Sequence, residues 1–320
     1  MAYCASVSSV LTRYAGSVLL AAGLVTAALG QDYGDVPYVQ TPTNIVDTML
    51  NLAKIRADDY VIDLGSGDGR MVITAAKKYG ARGFGVELDR RLVRLANASA
   101  AKAGVADRAV FYQRDLHETD VSPATVVTLY LLPEVNLMIR AKLLDTLRPG
   151  TRVVSHDYDM GRWQPDYQTE LEAPGKTVGA VKTSKIFYWM VPGNAAGRWY
   201  WKVTQDAKAP AFELILEQTF QRLAGTLTIG GERAQMETVQ LEGDRIRLVA
   251  SSEKGSARAR YEFSGKIVNH AIEGKGHVIR GQERHAVSWN AARIESWDPR
   301  HFALRGVPPC KEMGVPCGAR

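Results

Sequence analysis

The stretch VIDLGSGDGR, residues 61–70, decides the fold. A run of β-strand composition ends at Leu64, a turn with three glycines follows, and apolar residues at helical spacing come after Arg70. Open α/β sheets bind ligands beyond the carboxyl ends of their strands, where glycines let the backbone approach closely. The spacing is Gly-x-Gly-x-Gly, whereas dinucleotide sites have Gly-x-Gly-x-x-Gly, and the acidic Asp63 precedes it. A carboxylate at this point favours a ligand with an ammonium group and disfavours a pyrophosphate.

Strands and helices alternate on both sides of this turn. The predicted strands are residues 60–64, 83–88, 109–114, 125–132 and 152–156, and helices are predicted from Thr43, from the glycine turn to about Gly80, over 89–103 and over 134–147. Apolar runs such as the fourth strand indicate burial on both faces, as a parallel sheet between helices requires. Two later runs, 178–182 and 185–191, are joined by only two residues and predict an antiparallel hairpin. The predicted fold class is therefore α/β, a parallel sheet with an antiparallel hairpin at its end.

The pattern changes after residues 192–197, a break of linker composition. Beyond it, short alternating apolar runs are punctuated by glycines, and no helical spacing recurs. This part is predicted to be an antiparallel β sandwich or barrel. Its tryptophans are interpreted as core or domain-interface packing in preference to a ligand cage; they are Trp199, Trp201, Trp289 and Trp297.

The first thirty residues have the form of an export signal. Arg13 precedes a nearly uncharged run over 14–29, which ends in a small-x-small cleavage pattern at 28–30. Since the run is shorter than the roughly 20 residues that a spanning helix needs, an uncleaved membrane anchor is the second interpretation. In either case the body of the protein is predicted to lie outside the cytoplasm, as an exported, periplasmic or membrane-anchored protein.

Four segments are therefore predicted: a signal peptide at 1–30, an α/β domain at 36–193, a β domain at 198–297 and a tail at 298–320. The tail contains Cys310 and Cys317, whose spacing suits a short disulfide loop, two free thiols being the alternative. Two cysteines without a histidine at ligand spacing predict no metal site. The formal net charge of +6 is spread along the chain without a basic block, so no nucleic-acid partner is predicted.

Acidic residues fall at the ends of three consecutive predicted strands: Asp63, Glu87 and Asp115. Because parallel strands end at one edge of a sheet, these carboxylates are predicted to line that edge together. Glu87 is placed to accept hydrogen bonds from both hydroxyls of a ribose. The structural alternative is that Glu87 or Asp115 only caps the helix that follows it.

The order DLGSGDGR, GVELD and RDL, beginning at Asp63, Gly85 and Arg114, resembles the class I S-adenosylmethionine-dependent methyltransferases. More narrowly, YVQTP from Tyr38, LP from Leu132 and WQPD from Trp163 resemble the lysine methyltransferases that modify the ATP synthase c-subunit and the adenine nucleotide translocase. The resemblance covers about residues 36–167. It implies a Rossmann-like methyltransferase sheet, S-adenosyl-L-methionine as the cofactor and a protein lysine as the methyl acceptor.

The resemblance also implies which residues bind the cofactor. Its methionine end is bound by Asp63, Gly65 and Gly67, with Gly69 completing the turn. The ribose is bound by Glu87, and the adenine by Asp115 and Leu116. The site is closed by Tyr38 and Thr41.

Methyl transfer from a sulfonium needs positioning and a deprotonated nucleophile, and no dedicated base is obligatory. A lysine acceptor, with a reference pKa of about 10.4, needs a site that favours its neutral amine. Tyr130 and Asp157 are the catalytic candidates, because both lie at or just after the ends of predicted strands, on the side where the methyl acceptor is expected to bind. Glu134 and His156 lie there too. Each has a structural alternative, as a core aromatic, a first-turn helix acid or a polar loop residue. Two competing functions are methylation of a small molecule and an exported binding protein with a non-catalytic α/β domain.

Overall fold

The computed structural model describes residues 38–204, 209–254 and 257–295. The predicted signal peptide, Trp297 and the pair Cys310 and Cys317 lie outside these residues. Within the described part of the chain, no helix combines the length and the apolar character that crossing a membrane requires.

Among the described residues, those from Thr43 to Met190 form one seven-stranded sheet with helices on both faces. Its elements are α1 (Thr43–Leu52), β1 (Tyr60–Leu64), α2 (Arg70–Tyr79), β2 (Arg82–Glu87), α3 (Arg90–Lys102), β3 (Ala109–Gln113), β4 (Val126–Leu129), α4 (Pro133–Thr146), β5 (Arg152–His156), β6 (Tyr167–Glu172) and β7 (Thr183–Met190). The strand order is β3-β2-β1-β4-β5-β7-β6. The first five strands are parallel, and β7 runs antiparallel to both β5 and β6. The predicted α/β class, with a hairpin ending a parallel sheet, is confirmed.

The prediction of which residues form that hairpin is wrong for one of its strands. Residues 178–182 belong to the connection between β6 and β7, and Val178 and Val181 are exposed. The partner of β7 is Tyr167–Glu172, an edge strand that has few apolar residues and is at most half-buried. Because an edge strand covers little of the core, its sequence contains few apolar residues. The local sequence pattern therefore does not predict this strand.

Burial on both faces explains the apolar strands. Consecutive residues of β1, Val61 and Ile62, are fully buried in two different apolar cores. Val61 packs with α1 and α2, whereas Ile62 packs in the core that contains Ile139 and Leu143 of α4. A strand with both faces covered reads as a continuous apolar run, which is why these strands were found from the sequence.

The described residues from Gly197 onward form a closed antiparallel barrel of eight strands. They are β8 (Gly197–Lys202), β9 (Ala211–Thr219), β10 (Arg222–Ile229), β11 (Glu232–Glu242), β12 (Arg245–Lys254), β13 (Ala257–Val268), β14 (Ala271–Arg280) and β15 (Glu283–Glu295). The barrel closes because β8 pairs with both β9 and β15. Its interior is packed with aromatic rings that include Trp199, Trp201 and Trp289, all buried, so these tryptophans are core residues.

The turn between β9 and β10 joins the barrel to the sheet. Phe220 lies in the apolar core of the sheet, where its ring stacks on Trp163 with 6.3 Å between centroids. The next residue, Gln221, accepts a hydrogen bond from Trp163 Nε1 at 3.1 Å and donates to Gln164 O at 2.7 Å and Asp166 Oδ1 at 3.0 Å. Barrel and sheet therefore share one core at this point.

Candidate active site

The glycine turn follows β1 at the carboxyl edge of the sheet. Gly65 has a φ of +78°, and a Cβ built on it would stand 2.7 Å from Leu131 Cδ2, so a larger residue would be strained and crowded here. Gly69 also has a positive φ, +81°, but its Cβ would meet Phe111 at 2.5 Å and Ala96 at 2.9 Å. Packing of the start of α2 against β3 and α3 thus accounts for Gly69, whereas Gly65 lies beside the residues that follow β4.

Asp63 is a buried carboxylate just before this turn. Its Oδ1 accepts a hydrogen bond from Thr128 Oγ1 of β4 at 2.6 Å. Burial raises the pKa of Asp63 to about 7, and the negative charges of Asp68 and Glu87 add to the rise, while the Thr128 hydrogen bond opposes it. A cation bound at this point would stabilise the ionised form of Asp63.

Glu87 ends β2 with both carboxylate oxygens held by backbone amides. Oε2 accepts from Gly67 N at 3.1 Å, and Oε1 accepts from Leu88 N at 2.8 Å and Asp89 N at 3.1 Å. Asp89 caps α3 by accepting from the amides of Arg91 and Leu92, so the predicted alternative role of Glu87 as helix cap belongs to Asp89. The Glu87 carboxylate is fixed in orientation and retains lone pairs for hydroxyl donors.

Asp115 and Leu116 form a turn after β3. Asp115 Oδ1 accepts from His117 N at 2.7 Å, and Leu116 is half-buried against the core of the sheet. Lys142 of α4 donates to the carbonyls of Leu116 at 3.2 Å and His117 at 2.5 Å. Lys142 could not be predicted from the sequence, because its position along α4 gives no indication of a contact with a turn about 25 residues earlier.

The segment before α1 reaches the glycine turn through Thr41. Thr41 O accepts from Arg70 Nη1 at 2.7 Å, and Arg70 forms an ion pair with Asp68 inside the turn. Thr41 Oγ1 lies 3.2 Å from His156 Nδ1 at the end of β5, so Thr41 links the two sides of the edge. Tyr38 is the first described residue and is exposed.

Tyr130 and Asp157 follow β4 and β5 and meet at the same edge. Tyr130 Oη donates to Asp157 Oδ2 at 3.4 Å. Asp157 has a left-handed φ of +63°, and its Oδ1 accepts from Lys185 N at 3.0 Å, which fixes the carboxylate. Lys176, from the connection between β6 and β7, places its Nζ 2.8 Å from Asp157 Oδ2. Lys176 was not found from the sequence, since only the fold brings this connection to the edge.

The protonation of the neighbouring side chains follows from their burial. His156 is fully buried, its ring centroid is 4.0 Å from that of Tyr130, and its Nε2 is 2.8 Å from Ser184 Oγ. Burial lowers the pKa of His156 to about 4, with Asp157 opposing and Lys176 adding to the change, so the imidazole is neutral near pH 7. Burial and the Asp157 charge raise the pKa of Tyr130 well above its usual value, so its hydroxyl stays protonated. Glu134 is an exposed acid in the first turn of α4, as its structural alternative holds.

The structure thus brings the predicted acids of β1 and β2 together around the glycine turn and sets Tyr130 and Asp157 beside them. A mostly parallel sheet that ends in an antiparallel hairpin, with carboxylates at successive strand tips, defines a Rossmann-like methyltransferase fold.

The comparisons with known proteins give the family. The family model described as ANTKMT methyltransferase domain matches residues 63–167. A protein-lysine N-methyltransferase from Saccharolobus islandicus (strain REY15A) is 46% identical over 138 residues, which are 43% of this chain and 86% of that protein. The chain belongs to this family of S-adenosylmethionine-dependent methyltransferases, and S-adenosyl-L-methionine is its cofactor. The alternative of a binding protein with a non-catalytic α/β domain is not favoured.

Further similarities have the same extent. The adenine nucleotide translocase lysine N-methyltransferase of Mus musculus is 37% identical over 131 residues, 41% of this chain and 56% of that protein. The lysine N-methyltransferase of the ATP synthase c-subunit from Homo sapiens is 34% identical over 134 residues, 42% of this chain and 57% of that protein. The chain thus spans just over half the length of these two relatives. A solved structure described as an RNA methyltransferase from Salinibacter ruber in complex with S-adenosyl-L-homocysteine is 51% identical, with a TM-score of 0.45, covering 49% of this chain and 95% of that one.

The residues at the edge fit this cofactor by their chemistry. S-adenosylmethionine carries an ammonium group and a ribose diol. The edge offers a buried acid, whose ionised form a bound cation would stabilise, and a carboxylate held by three backbone amides. The family-model match ends at residue 167, before the barrel begins at Gly197.

Proposed function

We propose that this chain is a protein-lysine N-methyltransferase that binds S-adenosylmethionine at the carboxyl edge of β1, β2 and β3. The observation that carries the proposal is that two carboxylates, Asp63 and Glu87, lie at the glycine turn. Asp63 is buried, and burial together with nearby negative charges destabilises its ionised form. The carboxylate of Glu87 is oriented by backbone amides. The lysine acceptor is supported by the names of the relatives from Saccharolobus islandicus, mouse and human.

Each predicted cofactor residue has a proposed role. Asp63 pairs with the ammonium group of the cofactor, and Gly65 and Gly67 leave room for its methionine end, while Gly69 holds the turn in place. Glu87 accepts hydrogen bonds from the ribose hydroxyls, and Asp115 and Leu116 border the adenine. Thr41 and Tyr38 cover the site. When bound, the cofactor supplies an electrophilic methyl group on a sulfonium. The protein contributes position, charge complementarity and exclusion of water.

On the acceptor side, we assign the catalytic roles to Tyr130 and Asp157. The Asp157 carboxylate accepts a hydrogen bond from the incoming amine and so orients its lone pair, and the protonated Tyr130 hydroxyl holds Asp157. The neutral His156 adds no positive charge beneath Tyr130. A lysine amine reacts only as the neutral base, so its proton leaves to solvent before the transfer. Positioning of the neutral amine supplies the rate, in keeping with a reaction that needs no dedicated base.

The barrel and the N-terminal segment carry two further proposals. The barrel selects or docks the acceptor protein, and it does so with its outer surface, because aromatic side chains fill its interior. The pattern of the first thirty residues supports export of the enzyme, with a membrane anchor as the alternative. Fractionation of cells that express the full chain, with detection of the processed N-terminus, tests the second proposal.

The function is tested by cofactor binding and by methyl transfer. Asp63→Asn keeps the shape of the side chain and removes its charge, which costs roughly 1.5–3 kcal/mol of binding, or about 10- to 150-fold in Kd. Asp58→Asn is the matched control, because Asp58 is exposed and pairs with Arg56. Calorimetric titration with S-adenosylmethionine measures both, and no binding to the wild type contradicts the proposal.

The acceptor class is tested with radiolabelled cofactor and three acceptors in parallel: poly-L-lysine, total RNA and a mixture of small amines. Label on poly-L-lysine is expected. Label on RNA or on small amines alone overturns the lysine assignment and leaves the methyltransferase assignment intact.

A further inference from the structure

A lysine of the chain itself lies at the acceptor side of the site. Lys176 Nζ forms an ion pair with Asp157 Oδ2 at 2.8 Å and also donates to Thr183 O at 2.8 Å. Its side chain is 14% exposed, so the amine points inward against the sheet edge. Lys176 belongs to the connection between β6 and β7, which is not part of the parallel sheet.

Direct contacts connect this amine with the cofactor side of the edge. Lys176 and Tyr130 share the same oxygen of Asp157, and Leu131, the residue after Tyr130, lies against Gly65 of the glycine turn. Two residues before Tyr130, Thr128 is bonded to Asp63. Lys176 therefore occupies the place that the proposed function assigns to the amine of an acceptor lysine.

We propose that Lys176 is itself a methyl acceptor of this enzyme, a site of self-methylation. The inference rests on the proposed function, since it uses the same Asp157 site and the same cofactor. An amine held in the site by its own chain has an effective concentration of order millimolar or higher, which exceeds that of a dissolved acceptor at micromolar levels.

The transfer is balanced without any further reactant. The Lys176 ammonium gives a proton to solvent, and the lone pair of Nζ then attacks the methyl carbon of S-adenosylmethionine. The N–C bond forms as the C–S bond breaks, and the sulfur keeps the electron pair, which yields methyl-lysine and S-adenosylhomocysteine. Methylation keeps the charge of the amine, so the ion pair with Asp157 survives it.

Two neighbouring lysines of the same segment serve as internal controls. Lys182 is exposed and directs its Nζ to the backbone carbonyl of Lys176 at 2.5 Å, away from the Asp157 carboxylate. Lys185 is exposed and contacts Asp157 through its backbone: its amide donates to Asp157 Oδ1, and its carbonyl accepts from Asp157 N. If labelling depended on solvent exposure, the label would appear first on Lys182 and Lys185. If it depends on position in the site, the label appears first on Lys176.

The test uses the full chain and S-adenosylmethionine with a deuterated methyl group, followed by peptide mass spectrometry after cleavage at acidic residues. We expect label on Lys176 to appear at least about tenfold faster than on Lys182 or Lys185, because only Lys176 is positioned. The first-order rate is expected to stay constant over about a hundred-fold dilution of the enzyme, because the step is intramolecular. Lys176→Arg is expected to abolish this label and leave cofactor binding unchanged, and Lys185→Arg is expected to leave the label in place.

The outcomes separate this proposal from the proposed function. Label on poly-L-lysine without label on Lys176 overturns self-methylation and leaves the function standing. A labelling rate that falls on dilution, or equal label on all three lysines, overturns it as well. No label on either poly-L-lysine or Lys176 in protein that binds the cofactor overturns both.

Discussion

Lowering the pH below 7 is expected to weaken binding of S-adenosylmethionine through one group, Asp63. Burial and two nearby carboxylates raise its pKa to about 7 in the free protein. A bound ammonium favours the ionised carboxylate, so binding is coupled to loss of the Asp63 proton. The contribution of Asp63 to binding is therefore present where the pH is above its pKa of about 7 and is lost progressively as the pH falls below it.

The magnitude follows from the linkage. At about pH 6 only about one Asp63 in eleven is ionised, so the affinity at that pH is expected to be about tenfold, or about 1.4 kcal/mol, weaker than with Asp63 fully ionised. On the alkaline side the ligand loses its own charge, since an α-amino group has a reference pKa of about 7.7–8.0. Affinity is therefore expected to peak between about pH 7 and pH 8.

Calorimetry measures both the affinity and the proton count. Titrations at about pH 6 in two buffers with different ionisation enthalpies are expected to show release of close to one proton per bound cofactor. In Asp63→Asn the acid limb is expected to be flat and the proton release absent, whereas Asp58→Asn is expected to behave as the wild type. An affinity that is constant between about pH 5.5 and 7, or the same slope in Asp63→Asn, would refute the coupling.

Three further changes test other contacts. Phe220→Ala removes a ring of the barrel from the core of the sheet and is expected to cost about 3–5 kcal/mol in the free energy of unfolding by urea titration; an unchanged sheet transition contradicts a shared core. Lys142→Met removes the two hydrogen bonds from Lys142 to the carbonyls of the turn at Leu116. The expected loss of binding free energy is roughly 1 kcal/mol, or about a 5- to 10-fold weaker affinity for the cofactor. An unchanged Kd would exclude Lys142 from the site. Asp157→Asn is expected to lower kcat for poly-L-lysine by about 10- to 100-fold, because the acceptor amine loses its positioning, with the Kd for S-adenosylmethionine unchanged, and normal turnover excludes Asp157 from catalysis.

The strands that are buried on both faces could be predicted from the sequence. Residues such as Val61 and Ile62 form continuous apolar runs because helices cover both sides of the sheet, and the glycine turn between β1 and α2 marks where ligands bind. The acids Asp63 and Glu87 could be placed at one edge because parallel strands end at the same side.

Other features depend on contacts between distant parts of the chain. The edge strand β6 is mostly polar, so only its pairing with β7 defines it. Closure of the barrel requires β15 to pair with β8, which local alternation cannot distinguish from a sandwich. Lys142 and Lys176 enter the site from a helix and a connection whose positions the fold alone determines. For the same reason the role of Phe220 as a shared core residue could not be seen from its turn.

The most direct measurement is a crystal structure of the full chain grown with S-adenosylhomocysteine. We expect the following placement of the ligand: its ammonium group beside Asp63 and both ribose hydroxyls on the Glu87 carboxylate, within ordinary hydrogen-bond distance of about 3 Å. Adenosyl density elsewhere on the molecule, or side chains of the protein filling the space between Asp63 and Glu87, would contradict it.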